Sequence, residues 1–312
     1  MALRMGLADP VFNGKIEMEF SRLAYGLAIR SSLPLIELPV CGGTSDVVVR
    51  LDNIRSSDRK PANEGERHKV TSDGVFLFYE GVGTFLVRGG HEIIVDPAQD
   101  VDEGIVRLFI LGPALGVLLH QRGKFILHGS AVTTNGSAVA FLGEEESGKS
   151  TLAAALYTRG HSVVTDDVIV VQIEKDCKMV FPGFSYIKLQ PEMANLLGGF
   201  LKNQSISYPQ LGIKAYCVDK GFPSKPLPLS RIYVLNESED KKIEVLEPQK
   251  ALMELIRHSY CARLIANEGA PLHFLQCSTL VNSIPIFRLN RPRSLSALPD
   301  VIRMVENDLA HG

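Results

Sequence analysis

Within residues 128 to 167 the chain carries a histidine, His128, then Gly143-Glu144-Glu145-Glu146-Ser147-Gly148-Lys149-Ser150, then two adjacent carboxylates, Asp166 and Asp167. Two glycines framing four residues and followed by a lysine and a hydroxyl make the phosphate-loop pattern. Its glycines let successive backbone N–H groups turn inward on phosphate oxygens, while Lys149 reaches the β and γ phosphates and Ser150 binds magnesium. Gly143, Ser147, Gly148, Lys149, Ser150 and Thr151 are therefore the candidate nucleotide ligands. Two neighbouring carboxylates at a strand end could divide the remaining labour, one holding the metal and one taking a proton from an acceptor hydroxyl. His128 could bond a phosphate, one of those carboxylates or the attacking oxygen. Catalytic candidates are thus His128, Lys149, Asp166 and Asp167, and the chemistry is phosphoryl transfer. The blander readings are a solvated turn for the carboxylates and a structural role for the histidine.

What must position these groups is a hairpin. The β-prone runs Ser130 to Thr134 and Ser137 to Leu142 flank Asn135-Gly136, the strongest two-residue signal for a type I′ turn. Pairing Thr134 with Ser137 and counting outward sets His128 opposite Gly143, about 5 Å away across neighbouring strands. Beyond the loop the pattern predicts a helix from Lys149 to Tyr157, a strand from Ser162 to Thr165, the acidic pair, and a strand from Val168 to Ile173. The loop's three glutamates are adverse beside a polyphosphate unless they point outward or toward arginine. Glu146 also stands where similar loops carry glycine, which predicts local backbone strain.

Upstream, short strands are expected at Leu35 to Val40, Val47 to Leu51, Val75 to Tyr79, Thr84 to Val87 and Glu92 to Val95. The charged stretch Arg55 to Lys69 reads as a loop. Apolar residues between Asp102 and Arg122 follow helical spacing, with a kink expected at Gly112-Pro113. These features divide the chain into a β-rich region, 1–101, and a chemical domain, 102–312, of mixed α/β class. Farther on, Gln190 to Leu197, Pro248 to Leu264 and Leu295 to Leu309 read as helices, and Arg231 to Leu235 and Ile284 to Leu289 as strands. Arg257, Arg263, Arg288, Arg291 and Arg293 are candidate clamps, each more simply read as solvated. His120, His161, His258 and His273 read as surface or capping residues.

A net charge of -2 leaves no electrostatic footprint for nucleic acid or an anionic membrane. The most apolar window, Phe109 to Leu119, is broken by Gly-Pro and is too short to span a bilayer. The N-terminus lacks the apolar stretch of a secretory signal, so a cytoplasmic protein is expected. Five cysteines, an odd number without a Cys-x-x-Cys pair, read as reduced thiols.

In the order His128-Gly129, Gly143 to Ser150, Asp166-Asp167, the chain resembles the catalytic domain of HPr kinase/phosphorylase, specifically over these residues and more broadly from Asp102 onward. The resemblance implies a mixed-sheet P-loop kinase domain similar to phosphoenolpyruvate carboxykinase, using ATP and Mg2+ to phosphorylate a serine hydroxyl on a small protein. It further implies that Lys149 and Ser150 hold phosphates and metal, that His128 and one aspartate activate the acceptor, and that the other aspartate binds metal. Asp166 is the favoured base, leaving Asp167 with Ser150 on the metal. No counterpart of the family's later Glu-x-Arg-Gly signature is found. The β-rich N-terminal region and the segment Leu127-His128-Gly129-Ser130-Ala131-Val132 look more like the HPr-kinase-like proteins encoded beside lasso-peptide biosynthesis genes, which phosphorylate a precursor peptide on its C-terminal serine. Homo-oligomerisation is implied by the same analogy. A small-metabolite kinase and a nucleotide sensor without catalysis remain open.

Overall fold

The computed structural model describes residues 20–55, 61, 66–175, 177–197, 205–260 and 270–311. Seven short strands form the first sheet: β1 (Phe20–Ala24), β2 (Leu27–Ser31), β3 (Val47–Leu51), β4 (His68–Thr71), β5 (Gly74–Tyr79), β6 (Gly83–Arg88) and β7 (Glu92–Pro97). Their order is β1-β2-β3-β7-β6-β5-β4, with β3 parallel to both neighbours and the other pairs antiparallel. Leu35 to Val40, expected as a strand, is instead a turn with a single bridge at Val40. Pro34 and Pro39 lack the N–H groups a ladder needs, and Leu35 and Leu38 are buried without strand pairing. Of the expected loop from Arg55 to Lys69, residues 56–60 and 62–65 lie outside the described residues, while His68 and Lys69 belong to β4.

A helix from Glu103 to Gln121 packs on this sheet. It comprises α1 (Glu103–Phe109), a π-helical turn (Ile110–Ala114) and α2 (Leu115–Gln121). The carboxylate of Asp102 accepts the N–H of Ile105 and caps its start. Pro113 has no N–H to donate, and at the place where the kink was expected the helix runs through a wider π-helical turn that absorbs that loss. The whole helix is long and apolar enough to cross a bilayer, although 67% of that window is buried inside the protein.

The second sheet, also of seven strands, contains β8 (Phe125–Thr134), β9 (Ser137–Leu142), β10 (Val163–Ile173), β11 (Lys178–Phe181), β15 (Leu227–Glu237), β16 (Lys242–Val245) and β17 (Ile286–Arg291). Its order is β11-β10-β8-β9-β15-β17-β16, and β11 also touches the start of β15, so five strands close on themselves at one end. Between them, β12 (Tyr186–Leu189), β13 (Ser205–Tyr208) and β14 (Ile213–Cys217) make a small antiparallel sheet. The helices are α3 (Lys149–Thr158), α4 (Pro191–Leu196), α5 (Pro248–Arg257), α6 (Ala270–Val281) and α7 (Leu298–His311). The architecture is mixed α/β. Helix α5 ends at Arg257, short of the expected Leu264; residues 261–269, with Cys261 and Arg263, lie outside the described residues.

Strand β9 shows why the center of this sheet reads as an unbroken apolar run. Val139 and Phe141 face the core under α3 and α7, whereas Ala138, Ala140 and Leu142 face the core under α5 and α6. Alternate side chains point to opposite faces, and here both faces are covered. The result is a rigid strand aimed into the glycine-rich loop.

Candidate active site at the junction of two clefts

The hairpin forms in the expected register, from Thr134 opposite Ser137 to Gly129 opposite Leu142. Asn135 and Gly136 both have left-handed φ, as a type I′ turn demands. Just beyond the last pair, His128 and Gly143 line one cavity. Gly129 is indispensable to this closeness, since a Cβ there would lie 2.5 Å from the Phe141 carbonyl oxygen.

The loop from Gly143 to Gly148 leads directly into α3. Gly143, Glu146 and Gly148 have positive φ. A Cβ on Gly143 would meet Ser147 Oγ at 2.6 Å, and one on Gly148 would meet Arg291 Nη2 at 2.7 Å, so both positions require glycine. Glu146, at φ 58°, bears the strain expected of a glycine-like position. The side chains of Glu144 and Glu146 are 75% and 74% exposed and lie within 4.0 Å of Arg257 and 3.7 Å of Arg293, respectively. All three glutamates of the loop are exposed, so solvent screens them. Arg291 is not a solvated residue as expected: its guanidinium donates to the Ser147 carbonyl and braces the loop from below. Arg293 donates to the Glu146 carbonyl at 3.4 Å, whereas Arg257 and Arg288 pair with Glu254.

Lys149 is 7% exposed. Its ammonium donates to the carbonyl oxygens of Gly143 and Glu144 at 3.0 and 2.8 Å. Burial pulls that ammonium below the ordinary lysine value, against the opposing pull of Asp166 and Asp167. Ser147 Oγ is buried with no hydrogen-bond partner among the described residues, an orphan hydroxyl inside the loop. Thr151 lies one residue farther into α3, on the wall of the same cleft.

The acidic pair sits within one continuous strand, β10, not between two. In a regular strand Asp166 and Asp167 would point to opposite faces. Here the register against β8 shifts between Val163 and Thr165, and Asp167 takes φ 77°. This bulge brings both carboxylates onto Lys188 of β12. The Lys188 backbone N–H donates to Asp166 Oδ2 at 3.0 Å, and its ammonium donates to Asp167 Oδ2 at 2.7 Å.

The two carboxylates then diverge. Asp166, 3% exposed, accepts hydroxyl hydrogens from Ser130 at 2.6 Å and from Ser150 at 2.8 Å, both on Oδ1. Asp167 Oδ1 lies 3.2 Å from His128 Nδ1. Burial works against ionisation of Asp167, but the Lys188 ammonium and then the His128 ring outweigh it and hold the carboxyl well below the usual carboxylate range. The hydroxyl of Ser150 thus bonds to Asp166, whereas the sequence analysis set it with Asp167 on the metal. Lys188 carries no motif and escaped sequence reasoning; its one sequence signal is a charge in the apolar alternation Ile187-Lys188-Leu189.

Two cavities meet at His128 and Asp167. One, of about 520 Å³, extends from Ser147, Lys149 and Ser150 past Lys188 to the apolar side chains of Met193 and Leu298. The other, of about 500 Å³, lies between Tyr79 of the first sheet, Pro113 of the π-helical turn, and the segment His258-Ser259-Tyr260. That segment is tied to β8: His128 N–H donates to the His258 carbonyl at 2.8 Å, and Tyr260 N–H donates to the Ile126 carbonyl at 3.0 Å. His258 and His273, expected as surface or capping residues, are both buried, at 6% and 8% exposure; His258 is the C-cap of α5, and His273 Nε2 is 2.7 Å from Ser259 Oγ. His161 is half-buried, 3.1 Å from the Thr133 carbonyl, and burial lowers the His120 imidazole below its ordinary value. Among the described residues no cluster of three or more His, Cys, Asp or Glu side chains is poised to hold a metal.

Fold and site together define a mixed α/β protein in which a glycine-rich loop at the start of a helix lies near a divided pair of carboxylates. No protein-family model matches the chain, and no curated protein does. Among solved structures, the Hpr(Ser) kinase/phosphatase from Coxiella burnetii aligns with 59% of this chain and 95% of its own, at 17% identity and a TM-score of 0.33. With so loose a superposition, the roles of these residues follow from the side chains themselves.

Proposed function

We propose that the protein is an ATP- and Mg2+-dependent kinase that transfers the γ-phosphate to a serine hydroxyl of a peptide or small protein. The observation that carries this reading is the placement of His128 and Asp167 at the junction of two clefts, one of which opens on the phosphate loop. When bound, ATP supplies the phosphoryl group and Mg2+ offsets the charge on its oxygens.

The residues suit these groups. The N–H groups at the start of α3 and the orphan hydroxyl of Ser147 offer donors to phosphate oxygens at the positive end of a helix dipole. Lys149 would exchange its two carbonyl partners for phosphate. Ser150 and Asp166 present neighbouring oxygens of the hard type that magnesium takes, so we assign the metal to them and the acceptor to Asp167. Asp167, ionised at neutral pH, would accept the hydrogen bond of the acceptor hydroxyl and would receive its proton as that oxygen bonds to the γ-phosphorus and the bond from phosphorus to the bridging oxygen breaks, releasing ADP. A loose transition state calls for alignment more than for a strong base, so a carboxylate of low basicity serves. His128 and Lys188 hold the two oxygens of that carboxylate in place.

The resemblance to the lasso-peptide kinases favours the C-terminal serine of a precursor peptide as acceptor, with HPr or a small metabolite as alternatives, and cytoplasmic, self-associating protein as the working form. A nucleotide sensor is favoured by one observation, the engagement of Lys149 with the loop's own carbonyls. The test combines γ-labelled ATP, Mg2+, serine-ended peptides and HPr with wild type, Lys149→Ala and Asp167→Asn. Label on an acceptor, lost in both variants, supports the kinase. ATP binding with no acceptor labelled supports the sensor, and absence of ATP binding overturns both.

A further inference from the structure

We propose that Tyr25, on the turn between β1 and β2, is a positioning residue for Asp167, through which the N-terminal sheet fixes the departure of β10 from strand geometry at that residue. The inference rests on the kinase reading for its consequence but not for its geometry. Tyr25 and Gly26 occupy the turn with φ 52° and 75°. Such a turn favours Asn or Gly at its first position, and a tyrosine there is strained. Nothing local rewards it; its side chain instead crosses to the other sheet and is 2% exposed.

Its hydroxyl donates to the Val168 carbonyl oxygen at 3.1 Å and lies 3.3 Å from Thr165 Oγ1. Thr165 Oγ1, itself fully buried, donates to the same carbonyl at 2.7 Å. Thr165 and Val168 flank Asp166 and Asp167, so these two hydroxyls staple the chain across the carboxylate pair, where Asp167 departs from strand geometry. The turn at Pro182-Gly183 completes the clamp. Tyr25 N–H donates to the Pro182 carbonyl, and Gly183 N–H donates to the Val164 carbonyl at 2.9 Å. A Cβ on Gly183 would stand 2.5 Å from Thr165 Oγ1 and 3.0 Å from the Tyr25 hydroxyl, so glycine is what admits the staple. Burial pushes the phenol above its ordinary value, which keeps it a donor.

The test uses the full chain as wild type, Tyr25→Phe, Thr165→Ser and Thr165→Val. With peptide acceptor and MgATP, Tyr25→Phe and Thr165→Val are expected to lower kcat by about 10²-fold, the cost of misplacing a reacting group by about 1 Å. KM for ATP and the affinity for a fluorescent ATP analogue stay within a factor of two or so, and Thr165→Ser, which keeps the hydroxyl, retains wild-type kcat. In parallel, protein labelled with 13C-aspartate reports the Asp167 Cα shift, which follows backbone conformation whether or not the wild type turns over. A moved Asp167 resonance in Tyr25→Phe, with Thr165→Ser unmoved, supports the staple even if no acceptor is ever labelled. An unmoved Asp167 resonance, or a lower melting temperature with kcat intact, overturns it.

Discussion

Replacing Lys188 with methionine retains most of the side-chain stem and removes one charge from the site. The ammonium stands 2.7 Å from Asp167 Oδ2, with the two side chains 24% and 22% exposed. At that separation and an effective dielectric of about 20, the attraction is roughly 6 kcal/mol. Desolvation of both groups cancels part of it, and breaking one side of such a pair leaves the variant roughly 3 kcal/mol less stable near neutral pH. The pH dependence has a definite sign. Asp167 is depressed in the folded state, so its contribution is present above the unfolded value of about 3.9 and is lost as pH falls through the folded value. Burial lowers Lys188, Asp167 outweighs it, and the net rise means that its contribution is full below about 10.4 and is lost as pH climbs through the folded value. The stability gap between wild type and Lys188→Met is therefore flat from about pH 5 to 9 and narrows below about pH 4. Urea unfolding of both proteins across this range reads it directly. A gap under about 0.5 kcal/mol at pH 7, the size of an ordinary surface pair, or a gap that does not narrow at pH 3, would refute the coupling of Lys188 to Asp167.

Gly129→Ala drives a methyl group against the Phe141 carbonyl and Leu142, so it should cost about 1–3 kcal/mol in thermal unfolding and displace His128 from the loop. Glu146→Gly relieves a left-handed glutamate but frees the unfolded chain, for a net gain of about 0.5–1 kcal/mol. Because that side chain is exposed and lies near Arg293, affinity for an ATP analogue should change little; a tenfold gain would show that Glu146 faces and repels the phosphates. Arg291→Ala removes the brace on the Ser147 carbonyl and should weaken the same analogue by about tenfold, near the worth of one charged hydrogen bond; unchanged binding would show the loop to be rigid without it.

The central hairpin was legible because its register is fixed by two local facts, the Asn135-Gly136 turn and the two-residue period of the strands. The loop was legible because Gly143 and Gly148 are needed where no Cβ fits. What lies between distant segments was not. Lys188 reaches Asp167 from another sheet, and no local pattern encodes that approach. The roles of Asp166 and Asp167 were indistinguishable in sequence because a bulge at Val164, invisible in a β-branched run, decides which carboxylate meets Ser150. Helix α6 went unread because its apolar residues do not gather on one face: Leu272 and Leu275 are exposed while Cys277 and Leu280 are buried. Likewise, a turn between two prolines at Leu35 to Val40 imitates the apolar alternation of a strand while lacking its donors.

The division of the acidic pair carries a consequence for metal dependence. Asp167 is offset by an ammonium at hydrogen-bond distance, whereas among the described residues Asp166 accepts only from two hydroxyls and a backbone N–H. Asp166 therefore confronts any polyphosphate in the loop as a carboxylate without a direct cationic partner, next to Ser150. A phosphate brought there without a divalent cation is repelled, and one brought with it gains a ligand. Asp166→Asn removes the repulsion and the ligand together, while an amide can still accept from Ser130 and Ser150. Wild type should thus bind a fluorescent ATP analogue markedly better with Mg2+ than with EDTA, by tenfold or more, about 1.4 kcal/mol of charge neutralisation. In Asp166→Asn the two affinities should converge, with the metal-free value rising above that of wild type. Asp167→Asn, whose carboxylate is already paired with Lys188, should keep the wild-type ratio. Titrations of the three proteins with and without Mg2+ separate these outcomes, and convergence in Asp167→Asn instead of Asp166→Asn would return the metal to Asp167.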